Sequence, residues 1–83
     1  MKFRVIKKTK NKEERYELFY LDEYDNYGPT WKQVIWDEKA YCRFMDVNYE
    51  TSLDAINIRA REFAKKYAEE HGELIKEFEI TGV

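Results

Sequence analysis

Leu53, Ile56, Ala60, Phe63, Ala64 and Tyr67 recur at spacings of three and four, which draws one apolar stripe down a helix. Thr51 and Ser52 supply N-cap residue types just before it, and Asp54 follows Thr51 by three in a near capping-box pattern. His71 and Gly72 close it, with a cation-capable side chain in the last turn and then the residue best suited to a left-handed C′ position. This helix constrains the rest of the 83-residue chain most. One helix covers one face of one small sheet, so the remaining core must come from strands.

The strands follow from alternation. In residues 2–8, Phe3 and Val5 alternate with basic side chains. The polar run TKNKEE reads as a hairpin connection, and residues 15–21, RYELFYL, as the second strand. WKQVIWD (31–37) and AYCRFMDV (40–47) read as a third and fourth strand joined by a tight turn at Asp37, Glu38 and Lys39. ELIKEFEI (73–80) reads as a closing strand. The expected fold is α+β, in one domain spanning 1–83. A single antiparallel sheet of four to five strands carries one long amphipathic helix on one face, in β-β-β-β-α-β order. Aromatic residues, 17% of the chain, give so small a core its bulk.

Charge is unevenly placed. The formal net charge is -2. Yet residues 1–15 hold seven cations against Glu13 and Glu14, and residues 16–30 hold Glu17, Asp22, Glu23 and Asp25 with no cation. Such asymmetry bears on partners and association rates rather than on fold. Cys42 is the single cysteine and cannot form an internal disulfide. No apolar h-region opens the sequence, and no apolar run approaches the roughly 18 residues a membrane span needs. The expected compartment is a reducing cytoplasm, with no membrane partner.

Catalytic chemistry finds little support. Ser52 and His71 stand at opposite ends of one helix, about 28 Å apart at 1.5 Å per residue, far beyond the reach of a nucleophile and its base. Cys42 shares a strand face with Ala40 and Phe44 in this reading and is expected to be a buried, inert thiol. Gly28, Gly72 and Gly82 are isolated, so there is no phosphate cradle. The loop YLDEYDNYGPTW (20–31) fails as a calcium site, because Tyr24 stands where the third ligand should be. The expectation is a non-enzyme with no cofactor and no metal.

The informative signal lies on the strands. Tyr16, Leu18 and Tyr20 point one way, and Phe19 and Leu21 the other. Trp31 and Ile35 oppose Val34 and Trp36, and Cys42 and Phe44 oppose Tyr41, Met45 and Val47. Whichever face the helix takes, the other is aromatic, and a bare aromatic face marks an interface. The candidate partner-binding residues are therefore Tyr24, Asp25, Tyr27, Trp31, Trp36, Tyr41 and Met45, with the 22–30 loop as a polar, aromatic rim. The alternative is that the loop folds over the second face, or that the sheet curls on itself. A homodimer through the aromatic face is compatible with the same residues.

Lys7, Lys8, Lys10, Lys12 and Arg15 crowd one hairpin end. A basic β-ribbon can enter a major groove with its lysines on phosphates, so nucleic acid is the alternative partner. In layout, a small sheet backed by one helix resembles the arm-type DNA-binding domains of phage integrases. The competing explanation is a lysine-rich turn that protects an edge strand. A sponge for small nucleotides built on stacked aromatics is a further alternative.

In size and layout the whole chain resembles the small accessory proteins of phages and other mobile elements, anti-CRISPR proteins among them. That resemblance implies stoichiometric inhibition by occluding a host protein surface. The leading expectation is thus a non-enzymatic module that binds another protein.

Overall fold

A computed structural model describes residues 1–43, 45–71 and 79–82 of the protein. The chain forms β1 (Lys2–Lys10), β2 (Glu13–Asp22) and β3 (Thr30–Gln33), then α1 (Glu38–Cys42), α2 (Leu53–His71) and the short β4 (Glu79–Gly82). The spatial order is β3-β2-β1-β4. The body is a three-stranded antiparallel sheet followed by one long helix, rather than an antiparallel sheet of four to five strands. β4 lies parallel to β1, with Phe3 beside Ile80. Of the expected closing strand 73–80, residues 73–78 lie outside the described residues.

β1 and β2 join through a two-residue turn, with Lys10 opposite Glu13. Asn11 and Lys12 both take positive φ, 52° and 64°. Two left-handed residues in a two-residue loop give the turn whose twist matches that of the strands it joins. Asparagine accepts that conformation readily, whereas lysine carries a steric cost.

The helix covers the face that β1 and β2 present through Phe3, Val5, Tyr16 and Leu18. All four are buried, together with Val34 and with Ile56, Ala60 and Ala64 from α2. Small residues on the helix let its backbone come close to the sheet, and Phe63 then packs on Phe3 and Tyr20 with ring centroids 6.1 and 4.5 Å apart. Ser52 caps the helix by accepting the Ala55 amide at 3.2 Å. Leu53, the first residue of the stripe, remains exposed, as does Ile58 off the stripe.

Residues 40–47 depart most from the sequence expectation. The described residues among them, 40–43 and 45–47, do not form a strand, and residues 37–39 are not a hairpin turn. Asp37 instead caps α1, accepting the Ala40 amide at 2.9 Å, and β3 ends at Gln33. The alternation in AYCRFMDV suits an extended chain, but a single helical turn needs only a cap and one buried anchor, here Ala40. Cys42 consequently lies exposed, not buried. Phe44, its expected strand-face neighbour, lies outside the described residues. The chain then returns to the sheet, where Glu50 bridges to Tyr16 through paired backbone hydrogen bonds of 2.8 and 2.9 Å.

Candidate functional site

Opposite α2, the sheet presents Arg4 and Ile6 from β1, Phe19 and Leu21 from β2, and Trp31 and Gln33 from β3. The register sets Arg4 beside Phe19, Phe19 beside Gln33, and Leu21 beside Trp31. Phe19, Leu21 and Trp31 are only half-buried, and Ile6 is exposed. Arg4 reaches over this face and lays its guanidinium 4.3 Å from the centroid of the Trp31 ring.

Gln33 leads from that face into a cleft of about 400 Å³ lined by Ile35, Tyr41, Cys42, Met45, Asp46 and Asn48. Tyr41 is 58% exposed and Met45 54%. Their placement comes from α1: its single turn turns Tyr41 outward while Ala40 anchors it, and Met45 follows with its amide donating to the Ala40 carbonyl at 2.8 Å. The far wall is fixed by Asn48, which is buried and hydrogen-bonded to Trp36, Asp37 and Gln33. Gln33 also donates to Glu17 Oε2 at 3.2 Å, while Lys8 Nζ stands 2.6 Å from Glu17 Oε1. The buried Glu17 carboxylate thereby ties the hairpin to the cleft.

Three of the seven expected partner residues, Trp31, Tyr41 and Met45, thus share one side of the molecule. The other four do not join them. Trp36 packs toward the core beside α2, with the Arg59 guanidinium 4.7 Å from its ring centroid. Tyr24 turns to the helix end, its ring centroid 6.4 Å from that of Tyr67. Tyr27 lies at the loop tip, 98% exposed. Asp25 is engaged inside the loop. The loop is therefore not a rim to the aromatic face.

Internal bonding organises the acidic loop. Asp22 Oδ1 accepts the Tyr24 amide and Asp25 Oδ1 accepts the Tyr27 amide, two local turns of the kind aspartate forms with its own backbone. The remaining oxygens grip Lys32, with Nζ 2.7 Å from Asp22 Oδ2 and 3.0 Å from Asp25 Oδ2. The Lys32 ammonium is held well above its ordinary range by Asp22 and then Asp25. The Asp25 carboxyl is held below its ordinary value by the Tyr27 amide and then by Lys32. Burial raises the Tyr20 and Tyr67 phenols, with the Asp22 charge adding to both. Among the described residues, no three His, Cys, Asp or Glu side chains are placed to hold a metal ion.

The basic hairpin is also largely engaged with carboxylates. Lys7 pairs with Glu14, Lys8 with Glu17, Lys10 with Asp46, and Arg15 with Glu13 and Asp46. Of the five cations expected to meet nucleic acid, Lys12 at the turn has no such pair among the described residues. Interstrand pairing could not be read from the sequence, because it depends on register and on the return of residues 46–50 to the sheet.

Two contributors to this surface gave no sequence signal. Arg4 reads as one more polar residue of an alternating strand, and Asn48 as a loop residue. The Asp37-Glu38 start of α1 was a legible cap signal, but a five-residue helix shows no periodicity to go with it. Among the described residues, no helix is long and apolar enough to cross a membrane. Compared with known proteins, the chain matches no family model, no curated protein and no solved structure.

Proposed function

We propose that the protein is a non-enzymatic protein-binding module whose contact surface is the sheet face away from α2, continued by the Tyr41–Met45 cleft. One observation carries this reading: Trp31, Tyr41 and Met45, aromatic and methionine side chains of the kind enriched at interfaces, share one side of an 83-residue chain beside a cleft. The hydrogen bonds of Asn48 and Gln33 hold the cleft wall in place before any partner arrives, which lowers the ordering cost of binding. Ion pairing across the hairpin weighs against the nucleic-acid alternative, since phosphate would have to displace carboxylates already within 4 Å of the cations. The likeness in size and layout to phage accessory proteins extends the proposal to an inhibitor that occludes a host protein surface.

The test is capture from nuclease-treated bacterial lysate with the unaltered protein and with Met45→Glu and Tyr41→Ala. The reading expects a stoichiometric protein partner that the unaltered chain retains and Met45→Glu loses, at an unchanged Tm. A partner set that disappears with nuclease, or that both variants keep, overturns it.

A further inference from the structure

Among the described residues, three arginines lie over aromatic rings. Arg15 stands 4.2 Å from the centroid of Tyr49, Arg59 stands 4.7 Å from that of Trp36, and Arg4 stands 4.3 Å from that of Trp31. In two of the three the guanidinium also meets carboxylates. Arg15 Nε is 2.9 Å from Glu13 and its Nη1 3.7 Å from Asp46. Arg59 Nε is 2.9 Å from Glu50 and its Nη1 3.8 Å from Glu62. In both, the guanidinium has a ring against it and carboxylates at its N–H groups. Arg4 has the ring without the acid: among the residues whose side chains are described, no carboxylate pairs with it.

The position of Arg4 gives this difference a direction. Trp31 lies on β3 and Arg4 on β1, so the side chain crosses β2 near Phe19 and Leu21. Its guanidinium therefore lies over the half-buried Phe19 and Leu21, with Lys2 and Ile6 flanking it along β1, away from the hairpin end where Lys7, Lys8, Lys10 and Arg15 are paired. A planar, aromatic-braced guanidinium among apolar side chains suits a carboxylate delivered together with apolar groups. It suits a nucleic acid less well, because Arg4 already lies over the Trp31 ring, which is then not open to a stacked base.

We propose that the Arg4–Trp31 pair is the anchor for a glutamate or aspartate of the protein partner, so that this face selects an acidic side chain flanked by apolar ones. This inference rests on the protein-binding reading above and names the chemistry of its partner.

The experiment is an NMR titration of the full chain, observing the Arg4 Nε–H and Trp31 Nε1–H signals. The probes are a short peptide alternating leucine and glutamate, its twin with glutamine for glutamate, and a short single-stranded DNA. The glutamate peptide is expected to shift both signals and to bind about tenfold tighter than its twin, the difference one charge-assisted pair supplies. Arg4→Gln should close that gap. Arg4→Lys, which keeps the charge without the planar fork, should close most of it, and it serves as the second variant if Arg4→Gln fails to fold. Equal affinity for the two peptides overturns the carboxylate anchor while leaving the protein-binding reading intact. Tighter binding of the DNA at the same two signals overturns both. If no probe moves either signal, the anchor is overturned, and capture with Met45→Glu decides the broader reading independently.

Discussion

Asn48 holds Asp37 by both of its backbone polar groups, across eleven residues of sequence. Its Oδ1 accepts the Asp37 amide at 2.8 Å and its Nδ2 donates to the Asp37 carbonyl at 3.3 Å. The same Oδ1 also accepts the Trp36 amide at 3.0 Å. Asn48→Ala leaves these backbone groups without their partners. The expected loss is about 1–3 kcal/mol, read as a lower urea midpoint at unchanged slope. Because Asp37 also caps α1, the Tyr41 and Met45 signals should broaden in the same variant. A loss below about 0.5 kcal/mol would show that the excursion from residue 34 to residue 50 is held by something else.

Lys12 sits at φ 64° in the β1–β2 turn, where glycine carries no Cβ penalty. Lys12→Gly should therefore stabilise the protein by about 0.5–1 kcal/mol, the left-handed strain relieved outweighing the added freedom of the unfolded chain. Thermal denaturation at matched concentration measures it. A fall in Tm would place the lysine side chain in a contact that outweighs its strain.

Asp25 has a folded pKa below its ordinary value of 3.8, so the unfolded chain takes up its proton first as the pH falls. Its stabilising contribution is then fully present above that value and is lost as the pH falls through the depressed folded one. A carboxyl-carbon NMR titration should place its midpoint below 3.8. In Lys32→Met the midpoint should rise but stay below the ordinary value, because the larger cause, the hydrogen bond from the Tyr27 amide, remains. A midpoint insensitive to Lys32 would mean that the ion pair seen here contributes nothing in solution.

Tyr24 and Tyr27 lie three residues apart and should behave differently. Tyr27→Ala removes a side chain that is 98% exposed and should leave stability within about 0.5 kcal/mol of the parent. Tyr24→Ala removes a ring that packs on Tyr67 and should cost about 0.5–1.5 kcal/mol. Denaturation of the two variants side by side is the measurement. Equal costs would remove the distinction between an exposed loop tip and a docked loop base.

The helix was legible in the residues themselves. Its stripe, its Ser52 cap and its length are local properties, set by a period and by side chains within a few positions of one another. The β1–β2 hairpin was legible for the same reason, since alternation on both sides of a polar run leaves few other pairings. Residues 40–47 were not, because alternating apolar residues in a short window fit a strand and a single helical turn equally, and only the hydrogen bonds from Asp37 and Asn48 separate the two.

The candidate surface divides along the same line. The sequence by itself determined that one helix would leave large apolar groups on the second sheet face, because period-two alternation puts Phe19 and Leu21 opposite Leu18 and Tyr20. Tertiary structure decided which face α2 took, sent Trp36 and Tyr24 to the helix side, and left Trp31 under Arg4. Those outcomes depend on register between strands and on where a long excursion returns to the sheet. They are set by contacts between residues far apart in the chain, which no local pattern encodes.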